Sequence, residues 1–324
     1  MSLKKIISQR EDVAKVDSIA CSNNGKYIAI GTDKTILRVF DTEENKTFDL
    51  SNHHKGNIWA LAFSHDDRFL ASGCWNNVIQ IWSTHDWKNI IDINDNSFGI
   101  RSLKFSKDGI YLASGSGSYA AIVKLWLIHN NWACSETLDH PYSVGDISFS
   151  SNSRQLAVCC DTNIRIWSKN INTLRWHIEQ SIECSMKEDI YCCSLSFSPD
   201  DSVLVSGFTG GIVRIWSTKD WNLIESPINF DINPVCNVHN IFSAVLFSPD
   251  GRFLVGGLFS KYTTDDDNVI IWLVDKNYEY MRAFDGFVSN ANSIAFDCNN
   301  NLVTTYRNWN KYDKINSATS IRTY

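Results

Sequence analysis

No run of about 18 consecutive apolar residues occurs in this 324-residue chain, so no membrane-spanning helix is expected. Lys4 and Lys5 are followed by no continuous apolar stretch before Arg10, Glu11 and Asp12, so no signal peptide is expected. A basic block is also missing. The 30 Lys and Arg are set against 36 Asp and Glu and scattered along the chain, giving a net charge of −6. Nothing there tracks a phosphate backbone, so no nucleic-acid partner is expected.

The chain has ten Cys but no C-x-x-C. Cys159–Cys160 and Cys192–Cys193 are adjacent pairs, and neighbours on a strand point to opposite faces, so neither pair can share a metal. The remaining spacing fits no zinc site. Most Cys lie in strand-like runs and read as small buried hydrophobes in a reducing compartment, hence a cytoplasmic protein.

Catalytic patterns are equally scarce. G-x-S-x-G, the phosphate-binding loop and H-E-x-x-H are all missing. "GSGSYA" at 115–120 follows a strand but precedes no helix, so no helix N-terminus faces a phosphate there. The three carboxylates at 265–267 read as a solvated loop, since converging on a cation needs a shaped loop. The eight His share no spacing that places two on one face. The expectation is a binder, not an enzyme, with no cofactor.

What the chain has instead is tryptophan, twelve of them, in a repeat. "NIWALAFSHDDRFLASGCWNNVIQIW" ends at Trp82, and similar segments end at Trp126, Trp167, Trp216 and Trp272. A weaker first copy, "VDSIACSNNGKYIAIGTDKTILRVF", ends at Phe40, and a seventh begins at "NSIAFDCNNNLVTT" and ends at Tyr324. The spacing between ends runs from 41 to 56 residues. Self-similarity at such a period signals a repeat architecture. Within each copy apolar residues recur at every second position, which suits half-buried strands. "SPDG", "SKDG" and "SNNG" supply hairpin turns, because Asp and Asn tolerate tight turns and Gly takes positive φ freely. The strand-end aromatics therefore read as core.

The F-S-P-D-G turn, the L-A-S-G strand end and the I-x-I-W strand resemble the WD-repeat β-propeller family, over essentially the whole chain. The resemblance implies an all-β, seven-bladed propeller of four-stranded antiparallel sheets around a central channel, as one domain over residues 1–324. Blade ends are expected near 40, 82, 126, 167, 216, 272 and 324. "WKNIIDI" and "WNLIESP" read as fourth strands running into the next copy. The opening "KKIIS" is a near copy of "KNIID" at 88–92, so residues 1–9 are expected to supply the outer strand of blade 7 and close the ring. Closure removes a free sheet edge.

The family's buried tetrad of Asp, His, Ser or Thr, and Trp is fragmentary here. Blade 2 matches it with His54, Ser72 and Trp82, but Asn76 replaces the Asp. Blade 4 matches it with His140, Asp161 and Trp167, but Val158 replaces the Ser. These residues are assigned structural roles. Family members make contacts through the top face, which carries the loops between strands b and c and between d and a. Carried over position by position, the contact residues are Trp59, Arg101, Cys193 and Tyr191 on first strands and Trp75, Tyr119, Thr209 and Asp265 on b–c loops. Trp, Tyr and Arg dominate interface energetics, although Trp59 and Trp75 would equally serve to cover the top of the core. The expected function is a non-catalytic scaffold or adaptor for a protein or peptide, monomeric by itself. The alternatives are a structural subunit using blade sides and, third, a metal or small-ligand binder or enzyme at the channel mouth. Trp87, Trp132 and Trp221, at the opposite face, read as core caps on the fourth strands.

Overall fold

The computed structural model describes residues 5–8, 16–50, 54–94, 99–117, 121–184, 190–224, 240–260, 269–283, 291–297, 299–307 and 319–323. The protein is an all-β propeller of four-stranded antiparallel sheets. The chain starts with β1 (Lys5–Ser8) and then lays down β2 (Val16–Cys21), β3 (Tyr27–Thr32), β4 (Leu37–Asp41) and β5 (Lys46–Asp49) as one sheet. The next sheet is β6 (Ile58–Phe63), β7 (Phe69–Cys74), β8 (Val78–Ser83) and β9 (Asn89–Asn94). Then come β10 (Ile100–Phe105), β11 (Tyr111–Ser116), β12 (Ile122–Leu127) and β13 (Ala133–Asp139). They are followed by β14 (Val144–Phe149), β15 (Gln155–Cys160), β16 (Asn163–Lys169) and β17 (Trp176–Glu183). Another sheet has three strands, β18 (Cys192–Phe197), β19 (Val203–Phe208) and β20 (Ile212–Ser217). The chain continues with β21 (Asn240–Phe247), β22 (Phe253–Ser260), β23 (Val269–Leu273) and β24 (Glu279–Ala283). Finally β25 (Ala291–Phe296), β26 (Leu302–Arg307) and β27 (Thr319–Thr323) form a sheet whose outer strand is β1. Its register pairs Ile6 with Arg322 and Ile7 with Ile321.

The three-stranded sheet departs from the expected pattern. "WNLIESP" was to be its fourth strand, but only the single bridge Trp216–Leu223 forms, and residues 225–239 lie outside the described residues. Among the described residues no helix is long and apolar enough to cross a membrane.

Side-chain alternation fixes which faces pack. Second strands are buried on both faces, as in β7, first strands such as β10 expose some side chains, and outer strands such as β9 alternate towards solvent. The glycine of "LASG" has a packing cause. A Cβ on Gly73 would lie 2.4 Å from the Ile100 side chain of the next sheet, and Gly31, Gly115 and Gly207 meet Ile58, Val144 and Phe242 the same way. The residue just before the bulge of each of these first strands is thus a knob seated on a bare stretch of the preceding sheet. One junction differs. Cys159 stands where these four sheets have glycine, and the knob opposite is Cys192, so a larger floor is matched by a smaller knob.

The a–b turns interlock around one face. In six of them a serine hydroxyl accepts the backbone N–H five residues on, as Ser64 does from Phe69 at 2.9 Å, and donates to the Asp or Asn two residues on, while in the seventh Asp297 accepts from the Asn299 and Asn301 N–H groups. The fourth turn residue has positive φ, and where it is not glycine it reaches back to the preceding sheet. Asp67 (φ 57°) accepts from the N–H groups of Asn23 and Asn24 at 2.5 and 2.8 Å. Asp201 accepts from Ser151 and Asn152 at 2.5 and 3.0 Å. Where the receiving turn already carries Asp108 or Asp250, the reaching residue is neutral, Ser153 or Asn300. No carboxylate is set against another in these four clasps.

The c–d turns hold the same face further out. Trp87, Trp132, Trp221 and Tyr278 all have φ between 54° and 60°, an unfavourable region for large side chains. Each ring is packed in return. Trp87 lies 4.9 Å from Tyr27 of the preceding sheet, and Trp132 lies 5.4 Å from Phe69 of its own predecessor. Trp132 and Trp221 are buried, as their reading as core requires.

Candidate functional site

The first strands β2, β6, β10, β14, β18, β21 and β25 line one central cavity of about 640 Å3. Each of them carries a β-bulge, at its second residue in six of them and at Ser243, the fourth residue, in β21, where the register against the second strand skips one position. A bulge re-aims its side chain. The residues so placed include Asp17, Trp59, Arg101, Gly145 and Cys193, all of which line the cavity. Trp59 and Arg101, chosen from the sequence, are two of them. The bulge itself was not legible, because it exists only relative to a partner strand.

Trp59, Trp75 and Arg101 come together. The two indoles meet edge to face with centroids 4.7 Å apart. The Arg101 guanidinium lies 5.7 Å from the Trp59 ring. Trp75 is 51% exposed, so the pair does not simply seal a core. Two glycines make the arrangement possible. A Cβ on Gly99 would press on both indoles at 3.3 and 3.4 Å, and one on Gly117 would sit 2.5 Å from Arg101 Nε. Gly99 has φ 60° and donates its N–H to Asn77 Oδ1 at 2.7 Å.

Tyr191, just before β18, and Thr209, just after β19, form a second, smaller group. The Tyr191 N–H donates to Thr209 Oγ1 at 2.8 Å, and the Thr209 N–H returns to the Tyr191 carbonyl at 2.9 Å. The Tyr191 side chain is exposed. Beside it, burial pushes the Cys193 thiol up to about 12, so it is a thiol and not a thiolate. Tyr119 and Asp265 lie outside the described residues.

The structural set divides by sheet. In the second, His54 Nε2 lies 2.7 Å from Ser72 Oγ, and the Trp82 indole donates to the same hydroxyl at 3.0 Å. Asn76 turns instead to the Lys55 carbonyl at 3.0 Å. In the fourth, where Val158 offers no hydroxyl, the Trp167 indole donates directly to His140 Nε2 at 3.1 Å. An indole only donates, so Nε2 is the bare nitrogen and Nδ1–H donates to the Leu138 carbonyl at 3.0 Å. Burial, assisted by Arg165, lowers His140 to about 4 and keeps the ring neutral. Both ring nitrogens are thus filled without Asp161, which bonds to the Cys192 N–H through its backbone carbonyl at 2.8 Å.

Asp146 was missed. Its carboxylate accepts from Ser102 Oγ and the Ile147 N–H at 2.7 and 2.9 Å, and from Ser194 Oγ and the Leu195 N–H at 3.2 and 3.1 Å. Ser194 Oγ in turn accepts from the Val245 N–H at 3.0 Å. One acid thereby ties four consecutive first strands. The signal was a lone Asp at a position where neighbouring copies have Ser or Ala. Among the described residues no group of three or more His, Cys, Asp or Glu is arranged to hold a metal ion.

The family model described as Vps8 beta-propeller matches residues 2–176, and that of the WD domain, G-beta repeat, matches residues 169–217. Among curated proteins, small ribosomal subunit protein RACK1 of Medicago sativa is 30% identical over 112 residues, 31% of this chain and 34% of that one. RACK1y of Oryza sativa subsp. japonica is 27% identical over 82 residues, 25% of this chain and 24% of that one. Protein HIR1 of Chaetomium globosum is 33% identical over 92 residues, 28% of this chain and 8% of that one. The matched stretch thus spans about a third or less of each relative's length.

Proposed function

The chain belongs to the WD-repeat β-propellers, and among them to the Vps8 β-propeller family, and from that premise we propose that it is a non-catalytic scaffold that captures a protein or peptide at its channel-mouth face. The observation that carries this reading is the Trp59–Trp75–Arg101 group, uncovered and set on close-packed glycines. Aromatic and arginine side chains held by a rigid frame are what binding surfaces use. Tyr191 and Thr209 extend the surface, with Tyr119 and Asp265 assigned to it by position. RACK1, a small ribosomal subunit protein by name, supports a role in assemblies and does not name this chain's partner.

In this reading residues 1–324 form one seven-bladed domain whose ring is closed by the N-terminal strand. Support comes from the β1–β27 register and from β25 packing against β2 as well as β21 and β22. Removing residues 1–9 then lowers the melting temperature and promotes aggregation, and an unchanged melting curve ends the shared-blade idea. The eight described cysteines are free thiols, in keeping with a cytoplasmic, monomeric protein. The test of function is co-purification and mass spectrometry with wild type beside Trp59→Ala and Arg101→Ala. Partner capture that survives both substitutions overturns the face assignment. A large melting shift on titration with divalent cations would favour a ligand-binding role at the channel.

One observation favours a second reading, a subunit held by a blade side. In the fourth sheet Trp176 packs on Tyr111 and Phe149, as the turn aromatics do elsewhere, while Ile171 and Leu174 are 73% and 60% exposed. Leu174 has φ 59°, and Asn170 holds the turn by accepting from the N–H groups of Asn172 and Thr173. Ile171→Ser with Leu174→Ser would release such a complex and leave mouth-face capture intact.

A further inference from the structure

We infer that Arg101 is a carboxylate receptor, and that the mouth face takes an acidic segment of a partner protein, its carboxylate on the guanidinium and an apolar neighbour against Trp75. The inference rests on the reading of this face as the recognition face and adds the partner's chemistry to it.

Arginines elsewhere in the chain show what this side chain does when an acid is within reach. Arg38 is held by both oxygens of Asp49, at 2.6 and 2.8 Å. Arg68 and Arg252 each meet the aspartate two residues before them at 2.6 Å, and Arg175 meets Glu136 at 3.3 Å. Arg101 is exposed, and among the described residues no carboxylate or carbonyl lies within hydrogen-bond distance of it. Its partner is the face of Trp59. Stacking occupies the flat side of a guanidinium and leaves its N–H edge free, and that edge matches a carboxylate with two parallel hydrogen bonds.

The surroundings keep this edge open. Arg101 rests against Gly117, where a Cβ would collide with Nε. The next bulge holds Gly145, which has no side chain to place beside Arg101. The cavity acids are engaged elsewhere. Asp17 accepts from Asn57 Nδ2 at 3.4 Å, and Asp146 is filled by four donors. The site has one guanidinium, in a chain of net charge −6. Phosphate recognition draws on clustered arginines. A single stacked arginine beside an exposed indole fits a singly charged carboxylate next to an apolar side chain.

The test uses the immobilised full-length protein and two synthetic random ten-residue peptide libraries, one with free and one with amidated C-termini. The inference expects enrichment of Asp or Glu beside an apolar residue. Enrichment in both libraries assigns the carboxylate to a side chain, and enrichment in the free library alone assigns it to a C-terminus. For the best peptides, Arg101→Gln should weaken binding about 10- to 100-fold, the scale of a charge-assisted hydrogen bond. Arg101→Glu should turn the selection towards Lys and Arg. Peptides without an acid, or indifferent to Arg101→Glu, overturn the inference. So does a peptide that binds only when phosphorylated. If such peptides still lose binding with Trp59→Ala or Trp75→Ala, the recognition face stands and only its chemistry falls. If no peptide is enriched, or none responds to any of the three positions, both readings fall. Melting curves of the variants confirm that each is folded.

Discussion

The two faces of the propeller are built from the same repeat and treat their polar and aromatic groups in opposite ways. On the turn face, aspartates are filled. Asp200 is held below the usual carboxylate range by the Ser198 hydroxyl and the Ser202 N–H, and Asp67 and Asp201 clasp the preceding sheet. Aromatics there fold back onto the neighbouring sheet at the cost of positive φ. On the mouth face, the bulge turns large side chains away from the sheet, and Trp75 and Arg101 face solvent. The difference teaches that the turn face holds the sheets together, which leaves the mouth face free to vary. Stability and recognition then sit at opposite ends of the same strands.

That division can be broken by substitution. The largest effect is expected from Trp132→Ala. It removes a buried ring packed on Phe69 and Phe105, and should cost about 3–5 kcal/mol in chemical denaturation. Partner capture by the protein that remains folded should be unchanged.

Acid should act through His140, which is neutral when folded. Its folded value, about 4, lies below the ordinary 6.5, so the unfolded chain takes up a proton first as pH falls. Stability from this group is therefore complete above about pH 6.5 and is lost down towards pH 4, by up to about 3 kcal/mol. His140→Gln should flatten that part of the pH–stability profile. An equally steep profile in the variant would remove His140 as its cause.

Asp67→Ala should cost about 1–3 kcal/mol by releasing two N–H groups from a charged acceptor. Asp67→Gly should cost less, because glycine relieves the positive φ even as the clasp is lost. The smallest effects on stability belong to the mouth face. Trp75→Ala and Arg101→Gln should each shift stability by no more than about 0.5 kcal/mol, as exposed positions do. They should nonetheless weaken capture. A large loss of stability from either would erase the contrast between the faces.

Much of this was legible beforehand, for a definite reason. Strand identity, turn position and the strand-end aromatics are local, and each recurs often enough to be read by comparing copies. The pairing of β1 with β27 was legible because "KKIIS" repeats "KNIID". The Cys159–Cys192 exchange was available by the same comparison and was overlooked, since it becomes visible only when the end of one copy is set beside the start of the next. Asp161 shows the opposite failure. It occupies the expected position in the chain, yet His140 is satisfied by Leu138 and Trp167 once the serine is missing.

The amino-acid order determined by itself that this chain makes short alternating strands, ending in buried aromatics and joined by Ser-x-Asp turns, because side-chain period and turn chemistry act over a few residues. Only tertiary structure decided which residue of each first strand is bulged towards the cavity, that Asp146 ties four strands, and that Arg101 lies on Trp59 with no acid of the described chain beside it. The bulge depends on the partner strand across the a–b turn, and the Asp146 and Arg101 contacts on residues more than 40 apart in the chain, whose distances no local pattern specifies.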